Sequence, residues 1–386
     1  MIRFCLALLL ATPALQAAEL DADRQMANSL LAVSQSRMPE AQIAVDKLTQ
    51  QYPNFRLAQL IKGDLLLARA QPLQTLGNTG NVRNAELEQL RDEARQRVRA
   101  ATEVFPNDKD KVPAYLLNLD DSYRHALVVD ASRARLYVYE NRAGLPVRVA
   151  DFYITIGKAG AGKQKEGDNR TPIGIYTISS FKSPSELTDF YGGGAFTLSY
   201  PNEWDTRQGR NGHGIWIHGT PSNNYSRTPR ASEGCVVMAN DDLRQLGQYI
   251  QTGKTPVIIA EQVEWVAYDV LDTRRNDLAA ALDQWRTDWE SRDTDRLLSH
   301  YSASFRAGSQ DLPAFAASKY KVNAAKSWIK VGLSKLSLML YPERPDFALV
   351  TFEQDYQSSN LSDSTPKRQF WSRENGRWKI IHETSL

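Results

Sequence analysis

Ile215-Trp216-Ile217-His218-Gly219 and, after a polar loop, Ser232-Glu233-Gly234-Cys235-Val236-Val237-Met238 are two short apolar runs, each carrying one reactive side chain. In the first, alternating apolar residues make a buried strand that delivers His218 at its end. In the second, a flexible Ser-x-Gly turn presents Cys235 ahead of another apolar strand. An ordinary thiol is mostly protonated at neutral pH. A nucleophilic cysteine therefore needs an imidazole within hydrogen-bond reach to take its proton and return one to the leaving group. His218 is the expected base. Gly219 and Gly234 let backbone N–H groups approach a developing oxyanion without a Cβ in the way, and the Ser232 hydroxyl supports the turn or orients His218.

Outward from this pair, Ser122 to about Glu261 reads as strands and tight turns. Ala126–Asp130 and Leu136–Tyr139 flank an Ala131-Ser132-Arg133 corner, and 147–156 and 173–178 continue the pattern. Glycine is dense from Gly157 to Gly219, including Gly192-Gly193-Gly194, as expected of loops around a cleft. Upstream, from Leu20 to about Leu119, apolar residues recur at helical spacing. They predict a hairpin broken at Tyr52-Pro53, a polar break at Gly77-Asn78-Thr79-Gly80, and a helix over 84–105 with Leu87, Leu90, Ala94, Val98 and Ala101 on one stripe. The hairpin faintly resembles one tetratricopeptide unit, but no fixed period repeats.

Downstream of Trp265 a helix is expected over 270–289 and a second over 312–329. Strands follow at 334–341, 346–357, 368–373 and 377–383, the last two joined by an Asn375-Gly376 turn. Helices followed by an antiparallel sheet give an α+β order. Trp285, Trp289, Trp371 and Trp378 are expected to be core.

The chain has 386 residues, enough for several domains, and 42% hydrophobic with 24% charged residues is ordinary for a folded soluble protein. Lys plus Arg at 47 against Asp plus Glu at 45 is too balanced for a nucleic-acid surface. Arg3, the apolar run Phe4 to Leu10, and the small residues ending at Ala17-Ala18 predict a secretory signal over 1–18 and a periplasmic product. That run is far shorter than the roughly 20 residues of a membrane span, so no transmembrane segment is expected. Cys5 begins the run instead of following it, so lipid attachment is not expected either. Once it is removed, Cys235 stands alone in an oxidising compartment, where structural cysteines come in pairs.

These residues resemble the YkuD-type L,D-transpeptidase family: His218-Gly219, then Ser232-x-Gly234-Cys235 with its apolar tail and Asn240-Asp241, preceded by Thr171-Pro172-Ile173-Gly174-Ile175-Tyr176. The resemblance implies a β-rich catalytic domain acting on the stem peptides of peptidoglycan through a Cys235 thioester. An amine resolving the thioester gives transpeptidation; water gives L,D-carboxypeptidation. Where the family carries His-Gly-Cys with Arg two residues on, this chain has Glu233-Gly234-Cys235 and Val237, so a site charge is missing. Arg227 or Arg230 can replace it, and Arg230 is taken as the candidate substrate-binding arginine, with Tyr200 and Trp216 as candidate cleft walls.

The missing arginine, the run Phe196 to Asp205 and the C-terminal segment also resemble a subgroup of cell-shape-determining L,D-carboxypeptidases with a C-terminal NTF2-like domain. The expected organisation is multidomain α+β: a signal (1–18), a helical accessory region (19–121), the catalytic domain (122–261) and an NTF2-like cone (265–386). The pocket of that cone would take a glycan or a cell-wall protein. No cofactor motif occurs, and no metal is expected, since His213 lacks companions at ligand spacing. A Ser232-centred triad leaves Cys235 unexplained. A non-catalytic wall-binding module needs neither Cys235 nor His218.

Overall fold

The computed structural model describes residues 22–73, 75–77, 84–102 and 111–385. The expected signal (1–18) and residues 78–80 of the polar break lie outside them. The N-terminal region consists of the helices Ala22–Ser34, Met38–Gln51, Arg56–Leu67 and Asn84–Thr102. The first half of the expected hairpin is two helices, because the chain turns at Ser36 with φ +58° and restarts with Pro39 in the first turn. Met26, Leu30, Ala41, Val45, Leu48, Phe55, Leu57, Ile61, Leu65, Leu90 and Ala94 form its core. Ile43 and Leu66 are exposed, each lying off the buried stripe by helical periodicity, and Ala101 is exposed as well.

The helical reading ends too late. Lys111–Pro113 and Leu116–Asn118 are strands, which pair with Trp265–Ala267 and Ile329–Tyr341 respectively.

Eight strands form the catalytic sheet among the described residues, in the spatial order Val236–Val237, Trp216–His218, Ala195–Leu198, Gly174–Lys182, Pro256–Ala260, His125–Asp130, Arg135–Arg142 and Leu145–Tyr153. The expected hairpin has Asp130 opposite Arg135, its corner closed by the Asp130 carboxylate accepting from the Arg133 N–H. Both faces of the sheet's centre are covered. Leu127, Val129, Val257 and Ile259 enter one core while Ala126, Val128, Ile258 and Ala260 enter another. Burial on both faces explains why these strands read as unbroken apolar runs instead of alternating ones.

The second of those cores is shared with the C-terminal unit. Its helices Tyr268–Glu290 and Leu312–Ala324 pack on a curled sheet that has seven strands among the described residues, with the segment Leu116–Asn118 at one edge. The strands 344–358 and 377–385 fall close to expectation, while 361–374 starts well before the expected 368, and Asn375 and Gly376 both take positive φ in the turn. Ile329 begins a strand instead of ending a helix. Tyr301–Ala307, which the sequence pattern does not assign, is a strand parallel to Arg377–Ser385. Trp285, Trp289, Trp371 and Trp378 are buried.

Candidate active site

The strands carrying the two reactive residues are neighbours at the sheet edge, running parallel with Val236 opposite Ile217 and Val237 opposite His218. Val236 and Ile217 enter the core. By the two-residue period Trp216 and His218 point to the other face, and Cys235, one position before Val236, falls on that face diagonal to His218. His218 is buried, and its Nδ1 lies 2.7 Å from the Gly219 carbonyl. A carbonyl can only accept, so Nδ1 carries the proton and Nε2 is left as the basic nitrogen. The Cys235 thiol is partly exposed and donates to the Gly214 carbonyl at 3.4 Å.

The turn that presents Cys235 is held from both sides. Ser232 Oγ accepts from the Gly234 N–H at 3.1 Å and donates to the Cys235 carbonyl at 2.6 Å. Thr171 Oγ1, fully buried, donates to the Gly234 carbonyl at 2.9 Å and accepts from the Gly157 N–H. This supplies a physical reason for the Thr-Pro-x-Gly-x-Tyr segment, whose threonine was quoted from sequence without a role. Asn240 does the same for the histidine loop: its Oδ1 accepts from Gly193 and Thr220 N–H and its Nδ2 donates to the Thr220 carbonyl. At Gly219 a Cβ would lie 2.0 Å from Asn240 Oδ1, so no other residue fits. The Gly219 N–H donates to Gly194 and that of Gly234 to Ser232. Both glycines thus shape the turns with their N–H groups already engaged.

Burial pushes the His218 pKa down to about 4, with Arg227 adding to the effect against the Gly219 hydrogen bond. Burial also raises the Cys235 thiol, and the Trp216 N–H, Arg227 and Lys163 only partly offset it. At rest the thiol and the imidazole are therefore both neutral. Of the two candidate arginines, Arg227 acts electrostatically on both members of the pair and stacks over the Phe190 ring at 4.6 Å, while Arg230 is exposed on the strand Arg230–Ser232. The aromatic wall is Phe190, Tyr191 and Trp216, with the Tyr191 ring 5.0 Å from those of both Trp216 and His218. Tyr200 is buried against Tyr176 and bonds the Asn211 carbonyl, a core position. Exposed His213 faces Glu166, and among the described residues no His, Cys, Asp and Glu group is arranged to hold a metal.

The loop between the two reactive residues leans on the N-terminal helices. The Tyr225 ring sits 4.4 Å from that of Tyr52 and 4.6 Å from that of Phe55, and its N–H donates to the Asn54 carbonyl. Ser226 Oγ donates to Glu93 at 2.8 Å. Glu93 in turn binds Arg97, which reaches Asp23, and Asp23 also holds Arg135 of the catalytic sheet. No motif in the helical region announces this contact. The signal was there only as unlabelled aromatics, Tyr52 and Tyr225, far apart in the chain.

Residues 124–259 match the YkuD family of L,D-transpeptidase catalytic domains, and residues 277–384 match the Cds6 C-terminal NTF2-like domain. Among solved structures, Bd1075 of Bdellovibrio bacteriovorus is similar at 31% identity and TM-score 0.65, covering 72% of this chain and 98% of its own. The helical cell shape determining protein Pgp2 of Campylobacter jejuni is similar at 27% identity and TM-score 0.59, covering 70% of this chain and 95% of its own. No curated protein sequence matches the chain. With this likeness along most of its length, the chain belongs to the YkuD L,D-transpeptidase family and carries a C-terminal NTF2-like domain.

Proposed function

We propose that the chain is a periplasmic cysteine acyltransferase that acts on tetrapeptide stems of peptidoglycan through a Cys235 thioester. The observation that carries this reading is the pinned tautomer of His218, which leaves Nε2 basic on the face that Cys235 shares. In the first step Sγ attacks the carbonyl of the scissile peptide bond as His218 Nε2 takes the thiol proton. His218 then gives that proton to the departing amine, and the thioester remains. In the second step His218 deprotonates the acceptor, which attacks the thioester and releases the thiol. Ser232, Thr171 and Asn240 hold the turns in place, with Gly219 and Gly234 allowing the close approach. Trp216 and Arg227 border the pair where a stem peptide would lie, with Arg230 further out.

An amine acceptor makes the enzyme an L,D-transpeptidase. Likeness to a helical cell shape determining protein favours a second reading, in which water is the acceptor and the enzyme is an L,D-carboxypeptidase. The domains follow the boundaries 1–18, 19–121, 122–261 and 265–386, with the strands at 111–118 structurally part of the C-terminal unit. The concave side of that unit would take a glycan or a cell-wall protein.

Disaccharide-tetrapeptide muropeptides, with and without a free D-amino acid, are to be incubated with residues 19–386 and with a Cys235→Ala variant, and the products read by mass spectrometry. Cys235-dependent dimers or exchanged termini are expected for transpeptidation, and tripeptide alone for hydrolysis. No product beyond the Cys235→Ala background would remove the catalytic reading in favour of a wall-binding module.

A further inference from the structure

A cavity of about 690 Å³ lies between the catalytic domain and the C-terminal sheet, lined on one side by Ser199, Glu203 and Arg207 and on the other by Arg306, Arg368, His382 and Thr384. It contains neither Cys235 nor His218. It is also separate from the concave side of the C-terminal sheet. His382 and Thr384 alternate with Glu383, whose carboxylate binds Lys367 and Gln369 on the opposite face.

Four residues of this lining each hold a buried polar atom with no protein hydrogen-bond partner: Glu203 Oε2, Arg368 Nε, His382 Nδ1 and Thr384 Oγ1. Buried polar groups are paired in folded proteins, so such a concentration marks a place where a ligand completes the bonding. The lining holds three guanidiniums against the single carboxylate of Glu203. Arg368 binds Glu203 through one nitrogen at 2.6 Å, leaving the other Glu203 oxygen and its own Nε unused. Arg207 spends its donors on the carbonyls of Ile381 and Ser304, so its charge meets no carboxylate there. Burial, with the nearby Arg306 adding to it, depresses the Arg207 pKa, and the partner of Arg306, Asp311, stands 3.6 Å away.

We propose that this cavity binds a small carboxylate whose skeleton carries a neighbouring amine or hydroxyl, as an amino acid or hydroxy acid does. The carboxylate lies among Arg207, Arg306 and Arg368 and accepts from Thr384, and the amine or hydroxyl donates to Glu203 Oε2. Guanidinium forks suit a carboxylate or a phosphate alike. Glu203 decides between them, because its carboxylate repels a phosphate dianion more strongly than it repels a monocarboxylate that brings its own amine or hydroxyl donor.

The full secreted chain is to be titrated with D-alanine, D-lactate, acetate and inorganic phosphate while the imidazole signals are followed by NMR, with His382→Gln identifying the His382 signal. D-alanine or D-lactate should shift that signal saturably, and acetate should bind more weakly. Arg306→Gln and Thr384→Val should each weaken binding about tenfold, the value of one charge-assisted or buried hydrogen bond. Muropeptide turnover should be unchanged in both. A disaccharide-tetrapeptide that shifts the signal in place of the free acids would keep the carboxylate site and assign it to a stem-peptide terminus. The proposal fails if no ligand shifts the His382 signal, if both folded variants bind as the parent does, or if phosphate binds more tightly than every carboxylate.

Discussion

The N-terminal helices and the C-terminal unit both pack on the catalytic domain, but with opposite chemistry. The C-terminal unit shares a continuous apolar core with the catalytic sheet, with Trp204 packed 4.3 Å from the Phe347 ring. The N-terminal helices meet it through buried charge, Asp23 with Arg97 and Arg135, and through the aromatic grip on Tyr225. The first contact lies under the sheet. The second touches the loop that joins His218 to Cys235 and carries Arg227. One attachment should therefore govern stability alone, and the other both stability and turnover.

The largest expected effects fall on stability. Asp23→Asn leaves Arg97 and Arg135 in a buried site short of an anion and should cost about 3–5 kcal/mol in chemical denaturation. Although burial alone would raise it, Arg135 and Arg97 hold the Asp23 pKa down to about 2. Its contribution is therefore complete above the unfolded value near ~3.9 and lost as pH falls through about 2. Asp23→Asn should flatten that acid limb, and an unchanged slope would break the charge half of the comparison. Trp204→Ala should cost a similar ~3–5 kcal/mol by opening the shared core. Turnover per folded molecule should be preserved, and a large loss would show that the apolar interface also sets the site.

Tyr225→Ala should be milder in stability but lower kcat about tenfold, equivalent to ~1.4 kcal/mol on the barrier, with Tyr225→Phe near the parent value. Parent-like kcat in Tyr225→Ala would reduce the helices to a scaffold. Next in size is a pH effect. Alkylation of Cys235 by iodoacetamide should climb with pH through 9 and beyond, since burial raises the thiol, and Arg227→Ala should move the curve to still higher pH. A plateau reached below pH 7 would mean a thiolate–imidazolium pair instead. Smallest of all, Arg230→Ala should change turnover less than about twofold, as expected for an exposed charge.

Much of the catalytic domain was legible in sequence because its signals are local. An alternating run ending in His218, a Ser-x-Gly turn before Cys235 and the Asn375-Gly376 hairpin each declare themselves within a few residues. The proposed pair, His218 and Cys235, and the C-terminal fold are read this way. What escaped depends on contacts between distant segments. Nothing near Thr171 says that its hydroxyl will meet the Gly234 carbonyl, and Tyr200 looks like a cleft residue until Tyr176 is seen against it. Arg227 and Arg230 differ by three positions, and only strand placement decides which one faces the pair. The strands at 111–118 were misread because a three-residue strand carries too little periodicity to compete with the helical pattern before it.

Those short strands give the chain an unusual itinerary. Lys111–Pro113, where it approaches the catalytic domain, pairs residue for residue with Trp265–Ala267, where it leaves. The catalytic domain is thus an insert tied off at a two-stranded neck, its entry and exit side by side. Pulling on the two ends of that insert would load this short neck first, before the shared apolar core behind it is reached.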